Sequence, residues 1–208
     1  KSRKSKNILY LMVQFIQQNS SKVELDDYLC IADCYYMLEN YKESTKYITK
    51  ATNLDPDNAG SYSFLAQSLI SEGKYVAASE ALSKSEILNK KFNVKIIYDY
   101  VEVWNEFTRT TLYIKNEDIE NFYLNINKLK KMEINGFCVS YKYLVIYYLY
   151  FAISDFDKGF EWYNKCVEYL KHPSFEITSI RCKNAWKDDR FIKLLKDMKL
   201  YDFWKDSL

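Results

Sequence analysis

Apolar and polar residues follow one another along this chain in a pattern that repeats. Tyr28, Ile31, Ala32 and Tyr35 fall at i, i+3, i+4 and i+7, the apolar face of an amphipathic helix. Leu38-Glu39-Asn40 interrupts the pattern, and Tyr41, Ser44, Ile48 and Ala51 define a second apolar face. Asp55-Pro56-Asp57-Asn58 ends it, because proline lacks a donor and disfavours helix at the residue before it. The same order returns 34 positions on, as Tyr62, Leu65, Ala66 and Leu69, then Tyr75, Ala78, Leu82 and Ser85. Gly73 stands at the turn inside this second copy, where positive φ carries no strain for glycine. The small residues of each copy sit where two helix axes must approach to about 8–10 Å. The spacing therefore predicts antiparallel helix pairs over 25–58 and 59–92.

This period, with bulky-bulky-small-bulky in one helix and aromatic-small-bulky-small in the next, resembles the tetratricopeptide repeat (TPR). The resemblance implies an all-α fold: a right-handed α-α superhelix, a TPR-like solenoid of antiparallel helix pairs closed by a C-terminal capping helix.

Beyond Lys90 the pattern loosens into degenerate pairs. Asn93 to Lys115 reads as one long helix, with Ile96, Ile97, Tyr100, Val101, Trp104, Phe107 and Thr108 in helical spacing. Asn116 is expected to cap a following helix over 117–132, which completes a pair over 93–132. Asn135-Gly136 marks a turn. Over 140–172, Tyr143, Ile146, Tyr150, Phe156, Gly159, Tyr163 and Cys166 recover the repeat spacing around an expected turn at Asp155-Phe156-Asp157-Lys158. Tyr147 departs from the family pattern, which has a small residue there. His172-Pro173 closes the pair, and 174–208, with Trp186, Phe191, Leu194, Leu195, Leu200, Phe203 and Trp204, is expected to cap the stack.

Upstream, the apolar run from Ile8 to Ile16 falls far short of the roughly 20 residues that span a bilayer, and reads as a helix on the first repeat. Ser21 and Glu24 have capping-box spacing ahead of the helix that carries Tyr28. Residues 1–6 read as a basic linker and 7–208 as one helical repeat domain. The chain does not start with Met, which suggests a piece of a longer protein.

Composition narrows the chemistry. Two prolines and four glycines in 208 residues suit a nearly all-helical protein. The 30 basic and 28 acidic residues nearly cancel, so no nucleic-acid contact is expected, and Lys128-Lys130-Lys131 reads as a solvated helix face. Five cysteines, an odd number, point away from a disulfide framework and towards a reducing cytoplasm. Cys30 and Cys34 lie four apart on one helix, but a zinc site needs four ligands, and small-residue packing is the favoured role. The single histidine, His172, sits beside Pro173 without an evident partner for base catalysis. The four glycines are isolated and build no phosphate loop. Glu117-Asp118 and Asp188-Asp189 stand where helix-start acids belong. The expectation is a non-catalytic chain with no cofactor, no metal and no membrane segment.

What the resemblance implies is binding. In tetratricopeptide arrays the first helix of each pair lines a concave groove, and carrying this over places Asp33, Tyr36 and Met37 there, with Ser63, Gln67 and Ile70 from the second pair. Asn105, Arg109 and Leu112 follow from the long helix, and Tyr141, Leu144, Tyr148 and Phe151 from the late pair. The family branch that clamps chaperone C-termini has Lys and Asn where this chain has Asp33 and Gln67, so that ligand is not expected. Tyr36, Tyr148 and Arg109 suit a protein or peptide with apolar anchors and one acidic contact. Two alternatives stand beside it: self-association into a homodimer through the terminal apolar helices, and sensing of a small molecule among Trp104, Phe107 and Tyr148. The ending Lys187-Asp188-Asp189-Arg190-Phe191 through Leu200, Phe203 and Trp204 is similar to the close of repeat domains in HilA-like bacterial regulators of virulence. That likeness implies the partner-binding C-terminal part of a transcription regulator.

Overall fold

A computed structural model describes residues 3–19, 24–91, 95–136, 138–173 and 180–202. Among them there is no strand. The helices are α1 (Arg3–Asn19), α2 (Leu25–Met37), α3 (Tyr41–Leu54), α4 (Ala59–Ser71) and α5 (Tyr75–Asn89). They continue as α6 (Lys95–Lys115), α7 (Ile119–Lys131), α8 (Cys138–Ala152), α9 (Phe156–Leu170), a 3-10 segment η1 (Ile180–Lys187) and α10 (Asp189–Asp197). The chain divides into two compact units, one within residues 1–91 and one within 92–204. Ser21, Asn93, Phe203 and Trp204 lie outside the described residues, so the expectations resting on them are not addressed.

In the first unit each helix packs on the next, α1 on α2 through to α4 on α5. The residues 34 apart occupy matching contacts: Ala32 and Ala66, Ser44 and Ala78, and Ala51 and Ser85 are all fully buried. Two of these positions carry a hydroxyl. The one on Ser85 donates to the Ala59 carbonyl at 2.8 Å, replacing the water it loses on burial. Between the pairs, the Thr45 hydroxyl meets Ser68 Oγ at 2.9 Å and the Glu72 carboxylate, which Lys74 grips at 2.6 Å. Helix α1 lays Val13, Leu9 and Ile16 against Ile31, Cys34, Tyr35 and Tyr47.

In the second unit α8 is the hub, packing on α6, α7, α9 and η1. Its residues Leu144 to Phe151 are buried without interruption, as befits a helix apolar on every side. Tyr147, where the family pattern has a small residue, is fully buried, with its ring 5.7 Å from Tyr163 and 4.9 Å from Tyr148. Phe191 and Leu195 of α10 and Trp186 of η1 join this core.

One turn recurs at the junctions α2–α3, α4–α5, α6–α7 and α8–α9, and once more after α10. Glu39, Gly73, Glu117, Ser154 and Lys199 all have left-handed φ, between 56° and 79°. At each, the next residue's N–H reaches back five positions: Asn40 to Tyr35, Lys74 to Leu69, Asp118 to Tyr113, Asp155 to Tyr150 and Leu200 to Leu195, all at 2.8–2.9 Å. The left-handed residue itself donates three positions back, which completes a Schellman closure. Asn40, Asp118 and Asp155 then cap the following helix by accepting from the N–H three residues on.

This register corrects two expectations. The N-cap of α7 is Asp118 rather than Asn116, because Glu117 takes the left-handed place and delays the helix by two residues. The last pair turns at 153–155 rather than 155–158, since Phe156, Asp157 and Lys158 already form the first turn of α9. At the start of α2 the capping box is Glu24 with Asp27.

Candidate partner-binding surfaces

The residues expected to face a groove divide by exposure. Asp33 is exposed, and Arg109 keeps 32% of its side chain in contact with solvent. Tyr36, Gln67, Asn105 and Tyr148 are each less than a tenth exposed. Met37 and Tyr141 are half-buried, while Ser63, Ile70, Leu112, Leu144 and Phe151 are buried. Within the first unit, Tyr36 and Gln67 are joined through Ser71, whose Oγ lies 3.1 Å from the Tyr36 hydroxyl and donates to the Gln67 carbonyl at 3.1 Å. The Tyr36 ring packs edge-on to Tyr41 at 5.2 Å. In the second unit Tyr148 reaches Phe107 at 6.1 Å, and Trp104 meets Phe107 edge-on at 5.5 Å, so these three rings fill the space between α6 and α8.

Arg109 acts within its own unit as part of a charged joint between α6 and α7. Its Nε lies 3.4 Å from Glu106 Oε2, and Lys128 of α7 grips the other carboxylate oxygen. Asn125 of α7 completes the joint, donating to the Glu106 carbonyl at 3.1 Å and lying 2.7 Å from Thr110 Oγ1. Glu102 stands one turn before Glu106. Burial pushes its carboxyl up, with Glu106 and Asp99 adding to the rise and Lys128 and a Tyr98 hydrogen bond opposing it.

The lysine run on α7 is not uniform. Lys128 is committed to Glu106, Lys131 is exposed, and Lys130 is half-buried against α8 and α9. Lys130 Nζ donates to the Tyr150 hydroxyl at 2.8 Å and stands over the Tyr150 and Trp162 rings at 5.2 and 5.6 Å. Sequence reading missed this site. Its only trace was the presence of Lys158, Trp162 and Lys165 on one face of α9, which gives no indication of α7.

All five cysteines are free, and only Cys30 is exposed. Burial, helped by Cys30 and Asp33, pushes the Cys34 thiol up to about 11, and burial alone does the same to Cys166. Both are thus poor thiolates. No grouping of three metal-ligating side chains occurs among the described residues, and no described helix is long and apolar enough to cross a membrane. His172 is exposed, with Nδ1 3.0 Å from the Pro173 carbonyl oxygen. Compared with known proteins, the chain matches no family model and no curated protein.

Proposed function

We propose that the chain is a non-catalytic, cytoplasmic protein- or peptide-binding domain, a TPR-like right-handed superhelix that forms the partner-binding C-terminal part of a bacterial transcription regulator. The observation that carries this reading is the shared burial of Ala32 and Ala66, Ser44 and Ala78, and Ala51 and Ser85, positions 34 residues apart in equivalent helix contacts. A scaffold that repeats its packing presents the first helix of each pair in the same way, and Asp33 is the exposed member of that series on α2. The five free thiols support a reducing compartment.

The test is affinity capture from native lysate with the parent chain beside Asp33→Arg. Arg109 is left intact, because Arg109→Glu would set a second carboxylate against Glu106. A protein retained by the parent and lost from an equally helical variant supports the reading. Identical capture by both removes Asp33 from the binding face.

A second reading, self-association, is favoured by α1. Leu11 is 61% and Phe15 66% exposed, with Met12 and Tyr10 also exposed, opposite the face that packs on α2. A mass that rises with concentration in sedimentation equilibrium, and falls back in Leu11→Lys/Phe15→Lys, selects this reading.

A further inference from the structure

Helix α1 carries more apolar surface than its neighbours cover. Of the nine residues from Ile8 to Ile16 only Gln14 is polar, and no charged residue occurs from Asn7 to Ser21. Leu9, Val13 and Ile16 pack with Ile31, Cys34, Tyr35 and Tyr47, which uses one face of the helix. Leu11, Met12 and Phe15 point away from that contact and are exposed, with Tyr10 exposed beside them. The exposed polar residues around them, Asn7, Gln14 and Gln18, are uncharged. A helix face that meets only water ordinarily carries charges of both signs. This one carries neither.

Charge gathers instead at the two ends of the stripe. Lys1, Arg3, Lys4 and Lys6 precede it in sequence and Lys22 follows it, and the first acid of the chain is Glu24. Over the whole chain 30 basic residues stand against 28 acidic ones, so this excess is local to the first segment. An uncharged apolar stripe with exposed aromatic rings, flanked by cations, suits a helix that lies in the plane of a membrane interface. Lying on the bilayer is the mode open to α1, because no described helix is long and apolar enough to cross one.

We propose that α1 docks this domain on an anionic lipid surface, with Leu11, Met12 and Phe15 entering the boundary between headgroups and acyl chains and the flanking lysines and arginine on the headgroup phosphates. The inference goes beyond the partner-binding reading, whose contact is Asp33 of α2, and does not rest on it. An anionic bilayer answers both parts of α1 at once. A second copy of the chain would answer the apolar stripe alone: an isologous contact through α1 adds five more cations and no acid from α1 to meet them. A nucleic acid would answer the cations alone.

The experiment is flotation of the full chain at low salt with vesicles of equal parts phosphatidylcholine and phosphatidylglycerol, beside vesicles of phosphatidylcholine only. The parent is expected to partition at least about tenfold more strongly onto the anionic vesicles, since several cations act together at such a surface. Leu11→Ser/Phe15→Ser should leave the anionic vesicles and keep its helicity, because both residues are exposed. The apolar pair Leu11→Met/Phe15→Leu should stay on them. Lys4→Gln/Lys6→Gln should weaken binding to the anionic vesicles and leave the level on phosphatidylcholine unchanged. Equal partition of the parent onto both vesicles, or undiminished binding by the serine or the glutamine pair, overturns the proposal. A parent that stays off the anionic vesicles overturns it as well, and a mass that then rises with concentration gives the face to a second copy. If the serine pair melts early, the glutamine pair and the comparison of lipids in the parent still decide. Capture through Asp33 is read without lipid, so either result can fail without the other.

Discussion

A β-carbon at Gly159 would stand 2.2 Å from Cε1 and 2.3 Å from Cδ1 of Phe151. The repeat puts Ser44 and Ala78 at the positions equivalent to Gly159, and Ala32 and Ala66 at those equivalent to Tyr147. In the α8–α9 pair the bulk has moved on to α8, as Tyr147 and Phe151, and α9 gives up its last carbon in return. Phe151 is fully buried and hemmed by Tyr147, Phe156 and Phe160, so its ring has nowhere to go.

Gly159→Ala is accordingly expected to destabilise the chain by about 1–3 kcal/mol, the usual range for overpacking. Urea titration followed by circular dichroism measures this. Phe151→Leu in the same chain should recover part of the loss, and a double-mutant cycle with no coupling between the two sites would sink the explanation.

Ala66 tests the repeat from the other direction. It is fully buried between α4 and its neighbours, and Ala66→Trp should cost about 1–3 kcal/mol or more. An unchanged melting temperature would mean that the 34-residue register is misplaced.

The junction turns make a paired prediction. Glu117 has φ of 59° and Gly73 has φ of 79°, in equivalent turns. A left-handed L-residue costs about 1–2 kcal/mol, partly offset by the extra unfolded-state entropy of glycine. Glu117→Gly should therefore raise stability by up to about 1 kcal/mol. Gly73→Ala should lower it by about 1 kcal/mol through backbone strain alone, since nothing lies within 4 Å of the added carbon. Thermal melts of both variants give the two signs, and equal signs would refute the assignment.

Glu102 predicts a pH dependence. Its carboxyl is raised in the folded chain, by burial first, so the folded state holds the proton more tightly than the unfolded state does. Stability must then fall as pH rises from the unfolded carboxylate value through the raised one. Glu102→Gln does not titrate and still accepts from Tyr98. It should melt higher than the parent at pH 7, and the gain should vanish in acid. A gain that persisted unchanged at low pH would show that protonation is not the cause.

Much of the helix pairing was legible in the sequence because each repeat position fixes a local periodicity. Ala32, Ala66, Gly73 and Cys166 could be assigned from their neighbours alone. Glu117 could not, because left-handed backbone at a glutamate is imposed by the Schellman closure of Asp118 on Tyr113, and Asn116 offers an equally good cap by composition. The burial of Tyr36 and Tyr148 was illegible for another reason: it depends on Ser71 and Phe107, which arrive from other helices. Lys130 is the extreme case. Its partners lie 20 and 32 positions away on two helices, and only the packing of α7, α8 and α9 brings them together.

The recurrent turn also bears on how the chain is made. Each of the five closures spans six residues, so the entropy of bringing its ends together is small and is met early. Helices joined in this way find their partners within one hairpin of sequence, which favours rapid folding. A chain emerging from the ribosome can then complete one helix pair while the next is still being synthesised, and shield each apolar face soon after it appears.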